Sequence, residues 1–236
     1  MNEENYMTQQ SLPPIRRDIE RVSPELVKAA SQYQAAILAD VAGRRGALGA
    51  RIQPVSPHMK VAGPAFTVEV RPGDNLMFHA ALALAQPGDV IVVDGKGDQT
   101  MALCGTIMST QAQAAGLAGF VVDAAVRDVA ELAEGNFPVF AYGTNPNGPT
   151  KGLGGRINWP VTLAGVTVNP GDLVVGDADG VVIIPRENAA AIIDKAADKV
   201  SAEAKRIAEI KQGKLGAPWL KNALVAAGVM GEEESL

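Results

Sequence analysis

An arginine and two acidic residues after an apolar segment are the strongest candidates for chemistry in this sequence. Seven of the eight residues in 119–126, GFVVDAAV, are apolar or glycine, as in a buried strand, and Arg127 and Asp128 come next. If the strand ends near Val126, Asp128 and Glu131 lie three residues apart on one face of the following turn or helix. Two carboxylates are hard oxygen donors that suit Mg²⁺ or Mn²⁺, with water completing the octahedral shell. Arg127 could then bind a carboxylate or a developing oxyanion through two N–H groups.

The spacing of these charges leaves a second interpretation open. Asp128 could simply cap the helix that follows the strand, because aspartate is a favoured residue at that position. Arg127 and Glu131 would then be solvated surface residues without a ligand.

A predicted helix over residues 105–116 favours the first interpretation. Its first turn, Gly105 and Thr106 in CGTIMSTQAQAAG, leaves free backbone N–H groups that attract an anion. In open α/β sheets ligands bind beyond the carboxyl ends of the strands. If two adjacent parallel strands end there, a small carboxylate could lie on the helix terminus while Arg127 and a metal at Asp128 hold its other oxygens.

Other candidate motifs are weaker. The segment IVVDGKGDQT, residues 91–100, lacks the third spaced glycine of a dinucleotide-binding loop, and the chain has no phosphate-loop lysine motif, no HExxH and no cysteine-histidine cluster. Of the two histidines, His79 lies in an apolar predicted helix, one turn after Asn75. We interpret His79 as a residue hydrogen-bonded within that helix, although both side chains could reach a site.

The elements that must position these residues follow an α/β pattern. Residues 23–43 predict one or two helices, with Ser23 as N-cap, Pro24 in the first turn and Gly43 at the end. Short apolar segments then alternate with helical ones up to Val126, which indicates a parallel sheet. Residues 139–186 contain only strand and turn patterns and are expected to form a second layer or sheet. A long charged helix starts near Glu187.

The tripeptide PGD occurs three times, starting at Pro72, Pro87 and Pro170. Proline and glycine suit the two central positions of a type II turn, so each copy predicts a tight turn.

Composition excludes several classes of protein. The chain has 236 residues and a net charge of −5, which argues against binding to nucleic acid. Cys104 is the single cysteine, so no internal disulfide can form, and no apolar run is long enough to cross a membrane. The acidic N-terminus does not have the pattern of a secretory signal. We expect a cytoplasmic protein that binds a small molecule.

Three segments together resemble a known family. They are GTIMSTQAQAAGLAGFVVDAAVRDVAEL, FPVFAYGTNPNGPTK and NPGDLVVGDADGVVIIP. They are similar to the family that joins the 4-hydroxy-4-methyl-2-oxoglutarate / 4-carboxy-4-hydroxy-2-oxoadipate aldolases to the regulator of ribonuclease E activity A. The resemblance implies an α/β fold: a β/β/α layered sandwich resembling swivelling phosphohistidine domains, with N-terminal and C-terminal helices. It also implies homotrimers or homohexamers with active sites between subunits.

Because residues 1–14 are polar, we expect them to form a flexible N-terminus. The resemblance implies a single RraA-like aldolase domain over residues 15–215, followed by a C-terminal tail over residues 216–236.

Site residues follow from the same resemblance. Asp128 would hold the divalent metal together with waters, and Arg127 would bind substrate and stabilise the enolate oxygen. The spacing of Glu131 from Asp128, and not the resemblance, suggests that Glu131 contributes to the metal site through a water. Glu203, from the C-terminal helix of a neighbouring subunit, would complete the site. The substrate's pyruvate carboxylate would lie on the backbone of Gly105, Thr106, Ile107 and Met108.

The implied activity is a carbon-carbon lyase reaction that depends on Mg²⁺ or Mn²⁺. The enzyme would release pyruvate from a 2-oxo acid and would decarboxylate oxaloacetate as a side activity. Family aldolases tend to carry an acidic residue where this chain has Thr106, and glycine where it has Ala124 and Ala125. Because a threonine hydroxyl is no general base at neutral pH, we expect slower aldol cleavage. The family also contains regulators that bind and inhibit a ribonuclease, which is the competing function.

Overall fold

A computed structural model describes residues 13–236 of the chain, in two compact units. The first unit ends at Ala196 and the second covers Ala197–Leu236. The expected flexible N-terminus falls largely on residues 1–12, which lie outside the described residues. At its end, the carbonyls of Pro13 and Pro14 accept hydrogen bonds from Trp159 Nε1 and the Ile157 N–H.

The order of helices and strands matches the alternation expected from the sequence. The helices are α1 (Pro24–Ala30), α2 (Ala35–Val41), α3 (Leu76–Leu84), α4 (Thr106–Ala114), α5 (Val129–Glu134), α6 (Ala189–Lys211) and α7 (Leu220–Ala226). The strands are β1 (Gln53–Pro54), β2 (Val61–Glu69), β3 (Val90–Ala102), β4 (Gly119–Val126), β5 (Val139–Thr144), β6 (Arg156–Ile157), β7 (Val161–Leu163), β8 (Val166–Val168), β9 (Leu173–Asp177) and β10 (Gly180–Ile184).

Four parallel strands form the centre of the main sheet. The strand order is β1-β5-β4-β3-β2-β9-β10, and β2 to β5 are parallel neighbours. Helices α3, α4 and α5 follow β2, β3 and β4, so each helix starts near the carboxyl edge of this sheet. The predicted α/β class is therefore confirmed. The likeness to swivelling phosphohistidine domains stays a prediction.

The sequence suggested a second layer or sheet after Pro138, but most strands of this region belong to the main sheet. Strand β5 is the fourth parallel strand, and β9 joins the main sheet by pairing antiparallel with residues 61–64 of β2. The second half of β2, residues 65–69, pairs parallel with β3. Only β7 and β8 form a separate two-stranded sheet among the described residues. One long strand with two sets of partners thus joins both regions.

Both faces of the parallel sheet are covered, which explains the apolar strands. Every residue of β4 is buried. On the helical face, Phe120 packs edge-to-face against Phe78 and Phe137, with ring centroids 4.9 and 4.8 Å apart. On the other face, Phe140 packs with the β7–β8 residues Val161 and Leu163. Full burial of one phenylalanine contributes about 2 to 3 kcal/mol, so this packing holds the strand ends in register.

The three PGD copies form the predicted tight turns. In each, the glycine has a positive φ, from 71° to 88°, and the aspartate N–H closes the turn on the carbonyl three residues earlier. The aspartates Asp74, Asp89 and Asp172 are buried, and each carboxylate accepts a hydrogen bond from a segment outside its own turn: from the Gly152 N–H, the Arg21 side chain and the Arg186 N–H, respectively. These turns therefore also serve as anchors between elements.

Helical signals at the two ends of the chain are confirmed as well. Ser23 caps α1, with its Oγ accepting the Leu26 N–H at 3.3 Å. In the second unit, Glu203 of α6 pairs with Lys199 at 3.0 Å, one turn earlier. Arg206 donates to the carbonyls of the segment after α6. No helix within residues 13–236 is long and apolar enough to cross a membrane.

Candidate active site

The loops after β3 and β4 lie side by side, as the sequence predicted. The Leu103 N–H donates to the Ala125 carbonyl at 2.9 Å, and the Arg127 N–H donates to the Cys104 carbonyl at 3.0 Å. These bonds extend the pairing of the two strands beyond their ends. Arg127 and Asp128 are thereby placed beside the N-terminus of α4.

Asp128 caps a helix, but not the one that follows it. Its backbone is left-handed, with φ 59° and ψ 42°, and its side chain makes no capping bond to α5. Oδ2 of Asp128 instead accepts the Thr106 N–H at 3.0 Å, in the first turn of α4. A left-handed aspartate costs about 1 kcal/mol relative to a helical one, and such residues concentrate at functional sites. The bond orients the carboxylate and leaves Oδ1 for another partner.

Gly105 makes this close approach possible. A Cβ at position 105 would collide with Oδ2 of Asp128 and would lie 3.0 Å from Cγ of Arg127. Any side chain there would push the Asp128 loop away from α4, so the glycine is needed for packing and not for its backbone conformation.

Arg127 and Asp128 are only loosely paired with each other. Nε of Arg127 lies 3.9 Å from Oδ1 of Asp128, and the two side chains are 42% and 38% exposed. An exposed pair at this separation contributes little to stability. Both charges are therefore available to a ligand.

A cavity of about 210 Å³ opens between these residues. All of its walls follow the carboxyl ends of the four parallel strands, which is where open α/β sheets bind their ligands. It is lined by Asn75, His79, Ala102, Leu103, Cys104, Gly105, Ile107, Met108, Arg127, Asp128, Gly148, Pro149 and Lys151.

The cavity is lined by two basic side chains, Arg127 and Lys151, and one acidic side chain, Asp128. Burial, and then the nearby charge of Lys151, lower the pKa of His79 below its ordinary value. His79 is therefore neutral at neutral pH and can donate one N–H. Burial, and then the charge of Asp128, raise the pKa of the Cys104 thiol to about 12, so this cysteine stays protonated. The balance of charge favours an anion.

The N-terminus of α4 supplies further donors. The Thr106 N–H binds Asp128, whereas the N–H groups of Ile107 and Met108 have no acceptor among the described residues. Both residues line the cavity. The Thr106 side chain does not, and its hydroxyl is buried without a described partner.

Two of the predicted site residues lie elsewhere. Glu131 is exposed on α5 and is not part of the cavity lining. Glu203 belongs to the second unit, where it pairs with Lys199. The structure thus brings Arg127, Asp128 and the start of α4 together, and the roles of Glu131 and Glu203 stay predictions.

The donor set fits a cation that keeps most of its waters. Within residues 13–236 no three acidic, histidine or cysteine side chains are grouped as metal ligands. Asp128 offers one oriented carboxylate with a free Oδ1 beside a polar cavity. Mg²⁺ is often bound through one or two carboxylates plus water and substrate oxygens, so a single aspartate is compatible with it.

Sequence reasoning missed Lys151 and left Asn75 and His79 out of the site. Asn75 is buried, and its Nδ2 donates to the Leu103 carbonyl at 2.8 Å while its Oδ1 has no described partner. The signal for Asn75 and His79 was their one-turn spacing after a strand. Lys151 lies 24 residues after Arg127 in a glycine-rich loop, and nothing in that spacing indicates the contact.

Curated relatives of this chain include a Halalkalibacterium halodurans protein with the provisional name 4-hydroxy-4-methyl-2-oxoglutarate aldolase. It is 45% identical over 152 residues, which are 64% of this chain and 72% of that protein. The uncharacterised protein MJ0644 of Methanocaldococcus jannaschii is 36% identical over 147 residues, 61% of this chain and 71% of its own.

Solved structures with the same fold include RraAS2 of Streptomyces coelicolor, described as an unusual member of the RNase ES inhibitor RraA family. It is 30% identical to this chain, and the two structures superpose with a TM-score of 0.74 over 80% of this chain and 98% of RraAS2. The RNA-processing inhibitor RraA from Thermus is also 30% identical, with coverages of 65% and 93% and a TM-score of 0.60. The family model described as Aldolase/RraA matches residues 24–183. With more than half of its length matched and the fold shared, the chain belongs to the RraA-like family.

Proposed function

We propose that this protein is a divalent-metal-dependent pyruvate aldolase. Its substrates would be 4-hydroxy-4-methyl-2-oxoglutarate, cleaved to two molecules of pyruvate, or 4-carboxy-4-hydroxy-2-oxoadipate, cleaved to pyruvate and oxaloacetate. The observation that carries the proposal is the loose Arg127–Asp128 pair beside unpaired N–H groups of α4, on one polar cavity. The aldolase name of the 45% identical relative supports it.

Binding of the 2-oxo acid follows from the donors in the cavity. The N–H groups of Ile107 and Met108 would donate hydrogen bonds to the carboxylate next to the keto group, because they lie in the first turn of α4 without other partners. The guanidinium group of Arg127 would face the keto oxygen. Removal of one such donor from a developing oxyanion typically costs about 100- to 1,000-fold in turnover.

Asp128 would hold the divalent metal, Mg²⁺ or Mn²⁺, through Oδ1, while the Thr106 N–H fixes its other oxygen. When bound, the metal would act as a Lewis acid on the substrate's keto and carboxylate oxygens. The preset orientation of Asp128 means that its carboxylate does not have to reorder when substrate arrives.

Cleavage breaks the bond between C3 and C4. The C4 hydroxyl loses its proton and becomes a carbonyl, while the bonding electrons form the pyruvate enolate, which is then protonated at C3. Arg127 would stabilise the enolate oxygen. Cys104 cannot take the hydroxyl proton because its raised pKa keeps it protonated. We propose Glu203 of a neighbouring copy, in a homotrimer or homohexamer, or a water for that role.

The same enolate forms when oxaloacetate loses carbon dioxide. Oxaloacetate decarboxylation is therefore part of the proposal, and it needs no proton removed from a hydroxyl group.

A second candidate function is inhibition of a ribonuclease by docking. It is supported by two solved structures, an unusual member of the RNase ES inhibitor RraA family and an RNA-processing inhibitor RraA, which this chain matches over 98% and 93% of their length. In that case the cavity would have no catalytic role.

The deciding measurement is pyruvate release from purified protein and 4-hydroxy-4-methyl-2-oxoglutarate, followed with and without Mg²⁺. We expect turnover that a chelator abolishes and that Arg127→Ala lowers by about 100-fold or more. Arg71→Ala, an exposed arginine outside the cavity, is the matched control and should leave turnover unchanged. No pyruvate from either this substrate or oxaloacetate, together with slower RNA cleavage by a bacterial ribonuclease E, would favour the regulator.

A further inference from the structure

The loop that carries Lys151 is fixed to the sheet by the buried side chain of Asp74. Oδ2 of Asp74 accepts the Gly152 N–H at 2.7 Å, the Leu153 N–H at 3.2 Å and the Thr150 hydroxyl at 2.7 Å. These partners lie on both sides of Lys151 in sequence. The backbone of Lys151 is therefore held beside the cavity instead of being free as part of a glycine-rich loop.

The anchor is ionised at neutral pH. Burial alone would raise the pKa of Asp74, but the hydrogen bonds from Gly152, Leu76, Thr150 and Leu153 outweigh it and hold the pKa below its ordinary value. Hydrogen bonds to a charged group are stronger than those between neutral groups, so these bonds hold the loop in place.

Lys151 brings its charge to the part of the cavity near His79. Its ammonium group acts on the imidazole and helps to keep that ring neutral. The two side chains line the same cavity as Arg127, and Gly148 of the Lys151 loop has its Cβ position 3.1 Å from Nη1 of Arg127. One cavity thus combines two cations with a neutral N–H donor.

The proposed substrates need more than one anion site. Each has a carboxylate next to the keto group and at least one further carboxylate on C4. The first is matched by the free N–H groups of α4, and Arg127 faces the keto oxygen in the proposed complex. Among the described cavity residues, Lys151 is the cation left for the second carboxylate, with His79 as an additional donor.

A buried acceptor in the same cavity fits such a ligand. Oδ1 of Asn75 has no described hydrogen-bond partner, although its Nδ2 is firmly bound to the Leu103 carbonyl. An unpaired buried acceptor is unfavourable, and a hydrogen bond from a hydroxyl group of a ligand or from a water would remove this cost. The 4-hydroxyl of the proposed substrates is such a donor.

We propose that Lys151 is the specificity-determining residue of this site: it binds the second carboxylate of a 2-oxo dicarboxylate, assisted by His79. This inference rests on the proposed function for the nature of the substrate. It assigns to Lys151 the selection of dianionic over monoanionic 2-oxo acids, and to Asp74 the positioning of Lys151.

The test measures binding with two unreactive probes that differ only at the far end. 2-Oxoglutarate has both carboxylates, whereas 2-oxopentanoate has a methyl group in place of the second one. Titration calorimetry with Mg²⁺ present should show 2-oxoglutarate bound at least about tenfold more tightly by the unaltered protein, the ratio expected for one charge-assisted contact. Lys151→Gln should weaken 2-oxoglutarate about tenfold or more and change 2-oxopentanoate by less than about twofold, which abolishes the preference.

Two further variants make the result specific. Lys151→Arg keeps the charge and should retain most of the preference, whereas Lys60→Gln, an exposed lysine outside this cavity, should leave both affinities unchanged. Equal affinity of the unaltered protein for the two probes would overturn the proposal. Equal losses for both probes in Lys151→Gln, or an unchanged preference, would do the same.

The outcome does not depend on aldolase activity. A Lys151-dependent preference in a protein that cleaves no 4-hydroxy-2-oxo acid would refute the proposed function and leave the dicarboxylate site standing. Cleavage without that preference would support the proposed function and refute the role of Lys151.

Discussion

Two arginine-aspartate pairs, one with its aspartate inside β4 and one just after β4, differ in whether their charges are available to a ligand. Arg51 Nη2 lies 2.7 Å from Oδ2 of Asp123, in the middle of β4, and Asp123 is 1% exposed. Arg127 Nε lies 3.9 Å from Oδ1 of Asp128, just after β4, and Asp128 is 38% exposed, whereas the two arginines are similarly exposed. We call the first pair closed, because its aspartate is buried and bound to the arginine. We call the second pair open, because both of its side chains line the cavity.

The difference separates charges that hold the fold from charges that can bind. Asp123 lies on the face of the sheet away from the helices, and Arg51 reaches it from the segment before β1 while its guanidinium lies 5.0 Å from the ring of Tyr142. Asp128 instead uses one oxygen to cap α4 and keeps the other available. Residue type alone does not distinguish the two aspartates, and their geometry does.

The largest expected effect comes from removing the open carboxylate. Asp128→Ala should lower Mg²⁺-dependent turnover by about 1,000-fold or more, equivalent to about 4 kcal/mol, because the proposed metal loses its main protein ligand. The measurement is pyruvate release at saturating Mg²⁺, with circular dichroism confirming that the fold is intact. Since Asp128 is partly exposed, thermal unfolding should change little.

Activity retained by Asp128→Ala would rule out this role for Asp128, and so would activity that a chelator does not reduce. Asp128→Asn is the matched variant, because it can keep the hydrogen bond from the Thr106 N–H while losing the charge. Its turnover should fall nearly as far, since the bond to α4 alone does not bind a cation.

A smaller effect, on stability and not on chemistry, is expected at the closed pair. Arg51→Gln would leave the buried Asp123 carboxylate without its counter-ion. Breaking buried pairs costs about 3 to 5 kcal/mol, and because Arg51 is 40% exposed we expect about 2 to 3 kcal/mol in the free energy of unfolding. Urea denaturation measures this loss.

The double variant Arg51→Gln/Asp123→Asn tests whether the unpaired Asp123 carboxylate causes this loss of stability. It should recover part of the lost stability, because the uncompensated charge is gone. No recovery would mean that Arg51 acts through its contact with Tyr142.

Much of the fold was predictable because its signals are local. Ser23 and Pro24 mark the start of α1, the PGD tripeptides mark three turns, and the apolar run of β4 ends at Val126 as expected. The pairing of β9 with the first half of β2 was not predictable. It depends on contacts between residues more than 100 positions apart, for which no periodicity gives a signal.

The candidate site, like the fold, was predictable only where its residues follow from the order of helices and strands. Arg127, Asp128 and the start of α4 follow adjacent parallel strands, so the order of elements brings them together. Lys151 was missed because its position depends on the bonds of Asp74 to Gly152 and Leu153, and a buried aspartate in a turn motif looks like any turn residue in sequence. The capping of α4 by Asp128 was missed for a similar reason.

The smallest expected effect concerns Thr106, which stands where an acidic residue could act as a general base beside the Arg127–Asp128 pair. The hydroxyl of Thr106 is buried without a described partner, and the side chain does not line the cavity. A threonine hydroxyl has a pKa far too high for a general base, whereas the carboxylate oxygens of an aspartate extend one bond further and could reach the cavity to take the C4 hydroxyl proton. General acid-base groups contribute about 100- to 10,000-fold, so Thr106→Asp should raise aldol cleavage by at least about tenfold even if imperfectly placed.

Two comparisons separate proton transfer from geometry in that variant. Thr106→Asn has the same shape without the carboxylate and should give no increase. Decarboxylation of oxaloacetate needs no hydroxyl proton removed, so Thr106→Asp should change it much less than aldol cleavage. Equal effects on the two reactions would show that residue 106 acts through the Asp128 contact with its backbone N–H. No effect on either would mean that another group, such as Glu203 of a neighbouring copy or a water, already removes the proton, because an added base cannot accelerate a step that is already served.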